Sequence, residues 1–193
     1  MKRILILLLV FLISFSAFSA EEEKKDLDPE GWWNALWENS NVCFDLFARS
    51  AFVRGGFTAG GGFSGGIETD QFRFDLYALT DYFLDPLGSM GALARMEFMI
   101  EGGVSLGWKF LKFWSFTTYV SCDIGYYCQF LVYPGNEINQ LNSVFNGLML
   151  RPKLMTELEI AKYYSLSVGV FYQFPVIPAY SDYNGFGILF SIM

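Results

Sequence analysis

Histidine is absent from all 193 residues. That removes the usual general acid–base side chain and the commonest nitrogen ligand for metals in one stroke. Charge is scarce too: 13 Lys and Arg against 20 Asp and Glu give a formal net charge of -7. With no basic cluster to offset that balance, a nucleic-acid partner is not expected. Cysteine occurs three times, at Cys43, Cys122 and Cys128, and these thiols have no partners at zinc-ligand spacing. If Cys122 and Cys128 share a strand they lie roughly 20 Å apart at about 3.3 Å per residue. A disulfide needs Cα atoms within about 7 Å, so this pair does not bond. All three thiols are expected to act as small hydrophobes facing an apolar phase. No catalytic residue, metal site or cofactor is expected.

What the chain has in abundance is grease and rings: 53% hydrophobic and 19% aromatic residues. That exceeds an ordinary soluble domain and lies far from a disordered composition. The start is a targeting device. MKR is basic, ILILLLVFLI is apolar, and SFSAFSA supplies small residues before the polar EEEKKD. Ala17 and Ser19 form the small-x-small pattern, so residues 1–20 read as a signal peptide cleaved after Ser19 or Ala20. An uncleaved anchor is the alternative, although the apolar core is short beside the roughly 20 residues a spanning helix needs. Losing Lys2 and Arg3 moves the net charge to about -9.

Residues 21–40, EEEKKDLDPEGWWNALWENS, differ in character from the rest of the chain. Asp28 suits a helix cap with Pro29 at the first helical position. Trp32, Trp33, Leu36 and Trp37 then share one face by i, i+3, i+4 spacing. A short amphipathic helix at a membrane surface and an irregular tail with interfacial tryptophans both fit.

From residue 41 the period is two. In FWSFTTYVSCDIGYYCQF, residues 113–130, the even positions hold Phe116, Val120, Ile124, Tyr126 and Phe130, and the odd positions hold Ser115, Thr117, Ser121, Asp123 and Gln129. Similar alternation marks strands near 41–54, 68–83, 147–160, 164–174 and 183–193, divided by turn chemistry. GGFTAGGGFSGG at 55–66 reads as a Gly-rich loop, and its formal GxGxxG at Gly60–Gly65 lacks the strand-then-helix context of a nucleotide site. DPLG at 85–88 and KFLK at 109–112 read as turns, and AKYY leads into the seventh strand. Residues 89–110 form either one strand or a hairpin, 89–98 and 102–110, turning near Glu101. An up-and-down barrel with both ends on one side needs an even number of strands, so the hairpin is adopted and the total is eight.

Alternation fits a soluble sandwich or calycin-like barrel with grease inside, and equally a membrane barrel with grease outside. The composition of the faces decides between them. Eight faces rich in Phe, Trp and Tyr would overfill a small barrel. The other face holds Ser, Thr, Gly, Gln and Tyr with nearly balanced charges, which suits a crowded lumen. Arg49, Arg73, Arg95, Lys109, Arg151 and Lys153 oppose Asp45, Asp75, Glu97, Asp123, Glu157 and Glu159. Strands of about 9 to 11 residues span a bilayer when tilted, and closure leaves no open edge in hydrocarbon. The expected fold is all-β: an eight-stranded antiparallel up-and-down transmembrane β-barrel over 41–193.

With that architecture the chain resembles the small eight-stranded outer-membrane barrels of the OmpX, OmpA and OmpW type. The resemblance covers the signal peptide and residues 41–193. GGVSLGWKFLKFWSFTTYVSCDIGYYCQF is similar to the family's down-strand, short periplasmic turn and up-strand, and DPLG to another periplasmic turn. Gly187, Phe190 and Ile192 match the spacing of the family's C-terminal assembly signal, with an extra Met193 after them. The resemblance implies an outer-membrane location in a diderm bacterium, with membrane lipid and the barrel-assembly machinery as partners. Enzymes of similar architecture, such as lipid A palmitoyltransferases, lipid A deacylases and omptin-type proteases, use a histidine, so their activities do not carry over.

Three functions remain. The first is a non-enzymatic, monomeric anchor whose surface loops 55–67, 131–146 and 175–183 meet extracellular ligands. Its lumen would be plugged by a network of Asp45, Arg49, Arg73, Asp75, Arg95, Glu97, Asp123, Arg151, Lys153, Glu157 and Glu159. Near-equal signs favour such a plug over a selective pore, which concentrates one sign. The second is a narrow channel for small apolar solutes, as the OmpW resemblance implies. The third is a soluble periplasmic calycin-like carrier.

Overall fold

The computed structural model describes residues 40–53, 56–83, 96–132, 142–161, 164–177 and 183–193. The proposed signal peptide, the Trp-rich segment 21–39 and DPLG lie outside the described residues. The strands are β1 Asn41–Val53, β2 Gly56–Glu68, β3 Phe72–Phe83, β4 Met96–Phe113, β5 Phe116–Val132, β6 Asn142–Ala161, β7 Tyr164–Ile177 and β8 Gly185–Ile192. Each pairs antiparallel with its neighbour in sequence, and β8 pairs with β1 to close the barrel.

The register fixes the tilt. From Leu46 the pairing runs through Phe63, Ala78 and Gly102 to Tyr126. In the other direction it runs through Ile192, Leu166 and Leu158 to Phe116, ten residues along the same strand. A stagger of that kind accompanies strands inclined by about 35–45°. The strand ends at residues 68, 72, 113, 116, 161 and 164 lie at one end of the barrel, and those at 53, 56, 83, 96, 132, 142, 177 and 185 at the other.

Eight strands are expected and eight are present, but two expected elements are wrong in opposite directions. The Gly-rich stretch is strand β2, not a loop. The expected strand at 68–83 begins at Phe72. Residues 96–113 form one strand, so Glu101 sits mid-strand and KFLK is no turn. A bulge between Lys109 and Leu111 lets β4 continue to Phe113. The turn itself is Trp114–Ser115, where Trp114 holds a left-handed φ of 56°, uncommon for a bulky side chain. Its indole stacks on Phe113 with centroids 5.5 Å apart.

Glycine serves β2 through space rather than as a breaker. A Cβ at Gly62 would lie 2.1 Å from the Ala78 carbonyl oxygen and 2.8 Å from Leu79 Cα. The backbone of β3 occupies the space a side chain would take. Gly62→Ala is expected to destabilise the barrel by about 1–3 kcal/mol, the usual range for overpacking. Urea titration of the folded, gel-shifted form in lipid vesicles measures it.

Candidate functional site: the charged lumen

Alternation places one face of every strand inside and the other outside, and the charges go inside. Arg151 is fully buried, and Arg49, Arg73, Asp45, Asp75 and Asp123 are each less than a tenth exposed. The outside is apolar: Leu154 and Val168 are each 47% exposed, Ile124 44% and Phe190 53%. This inverts a soluble barrel and matches a wall in contact with acyl chains.

The central layer is built around Arg151 of β6. Its Nη2 donates to Glu101 Oε2 at 2.6 Å, and its Nη1 to Glu101 Oε1 at 3.1 Å and Asp123 Oδ2 at 3.2 Å. Lys153 Nζ sits 2.6 Å from Asp123 Oδ1 and donates to Ser105 Oγ at 3.3 Å. Tyr77 donates its hydroxyl proton to Glu101 Oε1 at 2.5 Å. Gly125 makes room for that bond, because a Cβ there would stand 2.2 Å from the Tyr77 hydroxyl. Two cations and two carboxylates thus balance across β4, β5 and β6.

Toward the longer connections, Arg49 Nε donates to Asp81 Oδ1 at 2.8 Å, and its Nη2 also contacts Asp81 Oδ2. Two guanidinium groups approach the Phe171 ring, with Arg49 Cζ 5.5 Å and Arg151 Cζ 5.6 Å from its centroid. Both distances permit cation–π attraction. Gly187 leaves space for this ring, since a Cβ there would lie 2.2 Å from Phe171 Cζ. Above it, Met99, Tyr127, Met149 and Tyr183 form an apolar cluster. Tyr183 bonds through its hydroxyl to Gln129 Oε1 and accepts Gln173 Nε2 at its carbonyl.

Toward the short hairpins, Arg73 Nε donates to Asp75 Oδ2 at 2.7 Å and its Nη2 bonds Asp45 Oδ2. Ser64 donates to Asp45 Oδ2 at 3.3 Å, and the Cys43 thiol to Asp75 Oδ1 at 3.4 Å. Lys109 pairs with Glu68 at the rim. Cys43 therefore faces the lumen and not lipid, while Cys122 and Cys128 lie on the outward face, half-buried. None of the three forms a disulfide.

Of the expected network, Asp45, Arg49, Arg73, Asp75, Asp123, Arg151 and Lys153 come together. Glu157 is half-buried and Glu159 exposed, and neither forms an ion pair among the described residues. Arg95 and the Glu97 side chain lie outside the described residues. Sequence reasoning missed Asp81, Glu101 and Glu68. Asp81 shares the parity of Arg73 and Asp75, which was a usable signal. Glu101 was hidden by its assignment to a turn. In β8, Phe190 and Ile192 point outward while Gly187 faces inward.

Between the central and basal layers a cavity of about 40 Å³ remains. At about 10–15 Å³ for each water centre it accommodates a few small species.

No family model matches the chain, and no curated protein matches it. Solved structures do. Neisserial surface protein A aligns at a TM-score of 0.59 and 11% identity, covering 80% of this chain and 95% of that one. The N-terminal β-barrel domain of Pseudomonas aeruginosa OprF aligns at 0.49 and 10% identity, covering 80% and 95%. The outer membrane enzyme PagL aligns at 0.47 and 15% identity, covering 76% and 97%. The first of these shares this chain's fold.

Proposed function

We propose that this chain is an outer-membrane β-barrel acting as a non-enzymatic, lipid-embedded anchor. It presents the β3–β4, β5–β6 and β7–β8 connections at the cell surface, with Tyr183 tucked into the lumen, because longer connections lie outside and short turns face the periplasm in such barrels. Residues 56–67, within the 55–67 expected as a surface loop, are wall and have no part in this. The fold shared with Neisserial surface protein A, whose name places it at a surface, supports the assignment.

One observation carries the plugged-anchor function: Arg151 is fully buried and clamped by carboxylates from β4 and β5 across the lumen. Eight strands enclose a space that side chains just fill, and here the described side chains leave a small cavity between the central and basal layers. The absence of histidine from the sequence supports a non-enzymatic role. Recognition, if the surface connections bind an extracellular ligand, then requires no passage through the wall.

The test has two arms. Membrane fractionation is expected to place the protein with the outer membrane, with heat-modifiable gel mobility. A soluble protein with no mobility shift would favour the periplasmic carrier and end this assignment. Planar-bilayer recordings are expected to show no steady conductance. A stable open level would favour the channel.

A further inference from the structure

The charge ledger of the lumen does not close, and the deficit has an address. Arg49 and Asp81 balance, as do Arg151 and Lys153 with Glu101 and Asp123, and Lys109 with Glu68 at the rim. Among the residues less than a tenth exposed, the remainder is one guanidinium, Arg73, shared by Asp45 and Asp75 and reaching the rim carboxylate of Glu68 at 3.6 Å. An uncompensated charge buried in a low-dielectric interior is costly, so a further positive charge is required there.

The cavity offers a place for it. Asp45 and Ser121 both line it and are 7% and 8% exposed. Asp45 Oδ1 and Ser121 Oγ are buried without a hydrogen-bond partner. Asp45 Oδ2 is already occupied by Arg73 and Ser64, which leaves Oδ1 as the free acceptor. Carboxylate, hydroxyl and water oxygens are the ligands hard cations prefer. No group of three or more His, Cys, Asp or Glu side chains suited to a metal occurs among the described residues. The single-charge deficit likewise calls for one unit of charge and not two. Arg49, Arg151 and Lys153 also line the cavity, and Lys153 is the register partner of Ser121, so the Asp45 carboxylate has to supply the ion's countercharge.

We infer that the basal end of this cavity, at Asp45 Oδ1 and Ser121 Oγ, binds one small monovalent metal cation, sodium or potassium, with water completing its shell. The inference stands on the lumen geometry and does not depend on the anchor function. Binding stabilises the folded barrel in proportion to occupancy, because the unfolded chain has no such site.

The experiment is a thermal-unfolding series on the full folded chain in detergent micelles at constant ionic strength, with sodium, potassium, choline or N-methylglucamine chloride. The wild type is expected to show a saturable rise in Tm with sodium or potassium over the bulky organic cations. Asp45→Asn is expected to lose that rise while still folding, since it removes the surplus charge. Ser121→Ala, which leaves the charges untouched, is expected to need more cation for the same rise, so the inference stays testable should Asp45→Asn not fold. Sodium-23 NMR on the wild type is expected to show line broadening relieved by potassium. Equal Tm values in all four salts would overturn the site, leaving water alone in the cavity. A protonated-carboxyl infrared band at neutral pH, lost in Asp45→Asn, would overturn it too, by assigning the missing charge to a proton.

Discussion

Arg151→Ala is expected to cost about 3–5 kcal/mol of barrel stability, the range for breaking a buried ion pair by removing one partner. The guanidinium is the only described cation that touches Glu101, and it shares Asp123 with Lys153. Truncation leaves Glu101 with the Tyr77 hydroxyl as its remaining described partner. It also removes one of the two cations near the Phe171 ring and opens a void beside the existing cavity. A charge stranded in an interior that water hardly reaches is penalised far more than a lost surface pair. The control is the double variant Arg151→Met with Glu101→Gln, which removes both signs together and is expected to recover much of the loss. Reversible urea unfolding in phospholipid vesicles, followed by tryptophan fluorescence and gel mobility, reads both. A single variant as stable as the wild type would mean that the lumen is wet enough to solvate Glu101, and the plugged-lumen account would fail.

The same layer shows what local pattern can and cannot deliver. Period two is visible wherever bulky and small residues alternate, as in β5, β6 and β7, and there the expected faces match the observed ones. The pattern fades in β2, GFTAGGGFSGGIE, because glycine holds several inward positions, Gly60, Gly62 and Gly66 among them. Those glycines answer to the closeness of β3, a tertiary fact with no local signature. The reading of Glu101-Gly102-Gly103 as a turn failed for a related reason. Gly103 pairs with Gly125 on β5, and a Cβ on Gly103 would lie 2.5 Å from Gly125 Cα, so these glycines permit close packing within the wall. The two errors cancelled in the strand count and did not cancel in the site. Losing Glu101 from the strand left Arg151 without its main partner, and leaving Asp81 out of the expected network left Arg49 without its own.

Leu154→Arg decides between hydrocarbon and water outside the wall, and the expected sign differs between them. Leu154 is 47% exposed on the outer face of β6. It is registered with Val120 and Val170 on the neighbouring strands and lies well inside both strand ends. In contact with acyl chains, an arginine there is expected to destabilise the barrel by about 2–4 kcal/mol, the cost measured near a bilayer midplane in barrels of this kind. In contact with water, the same change replaces an exposed leucine with a solvated cation and would leave stability nearly unchanged, since surface substitutions usually stay within about 0.5 kcal/mol. Leu154→Ala serves as the reference for the lost side chain, so that the difference between the two variants isolates the charge. Moving the arginine to position 160, where exposed Ile160 lies one residue from the end of β6, is expected to reduce the penalty to about 0–1 kcal/mol, because a long cationic side chain near the interface reaches water. Unfolding free energies in vesicles measure all three. A penalty that did not diminish toward the strand end would mean that no hydrocarbon slab surrounds this barrel, and the inside-out distribution of its charges would then need a different cause.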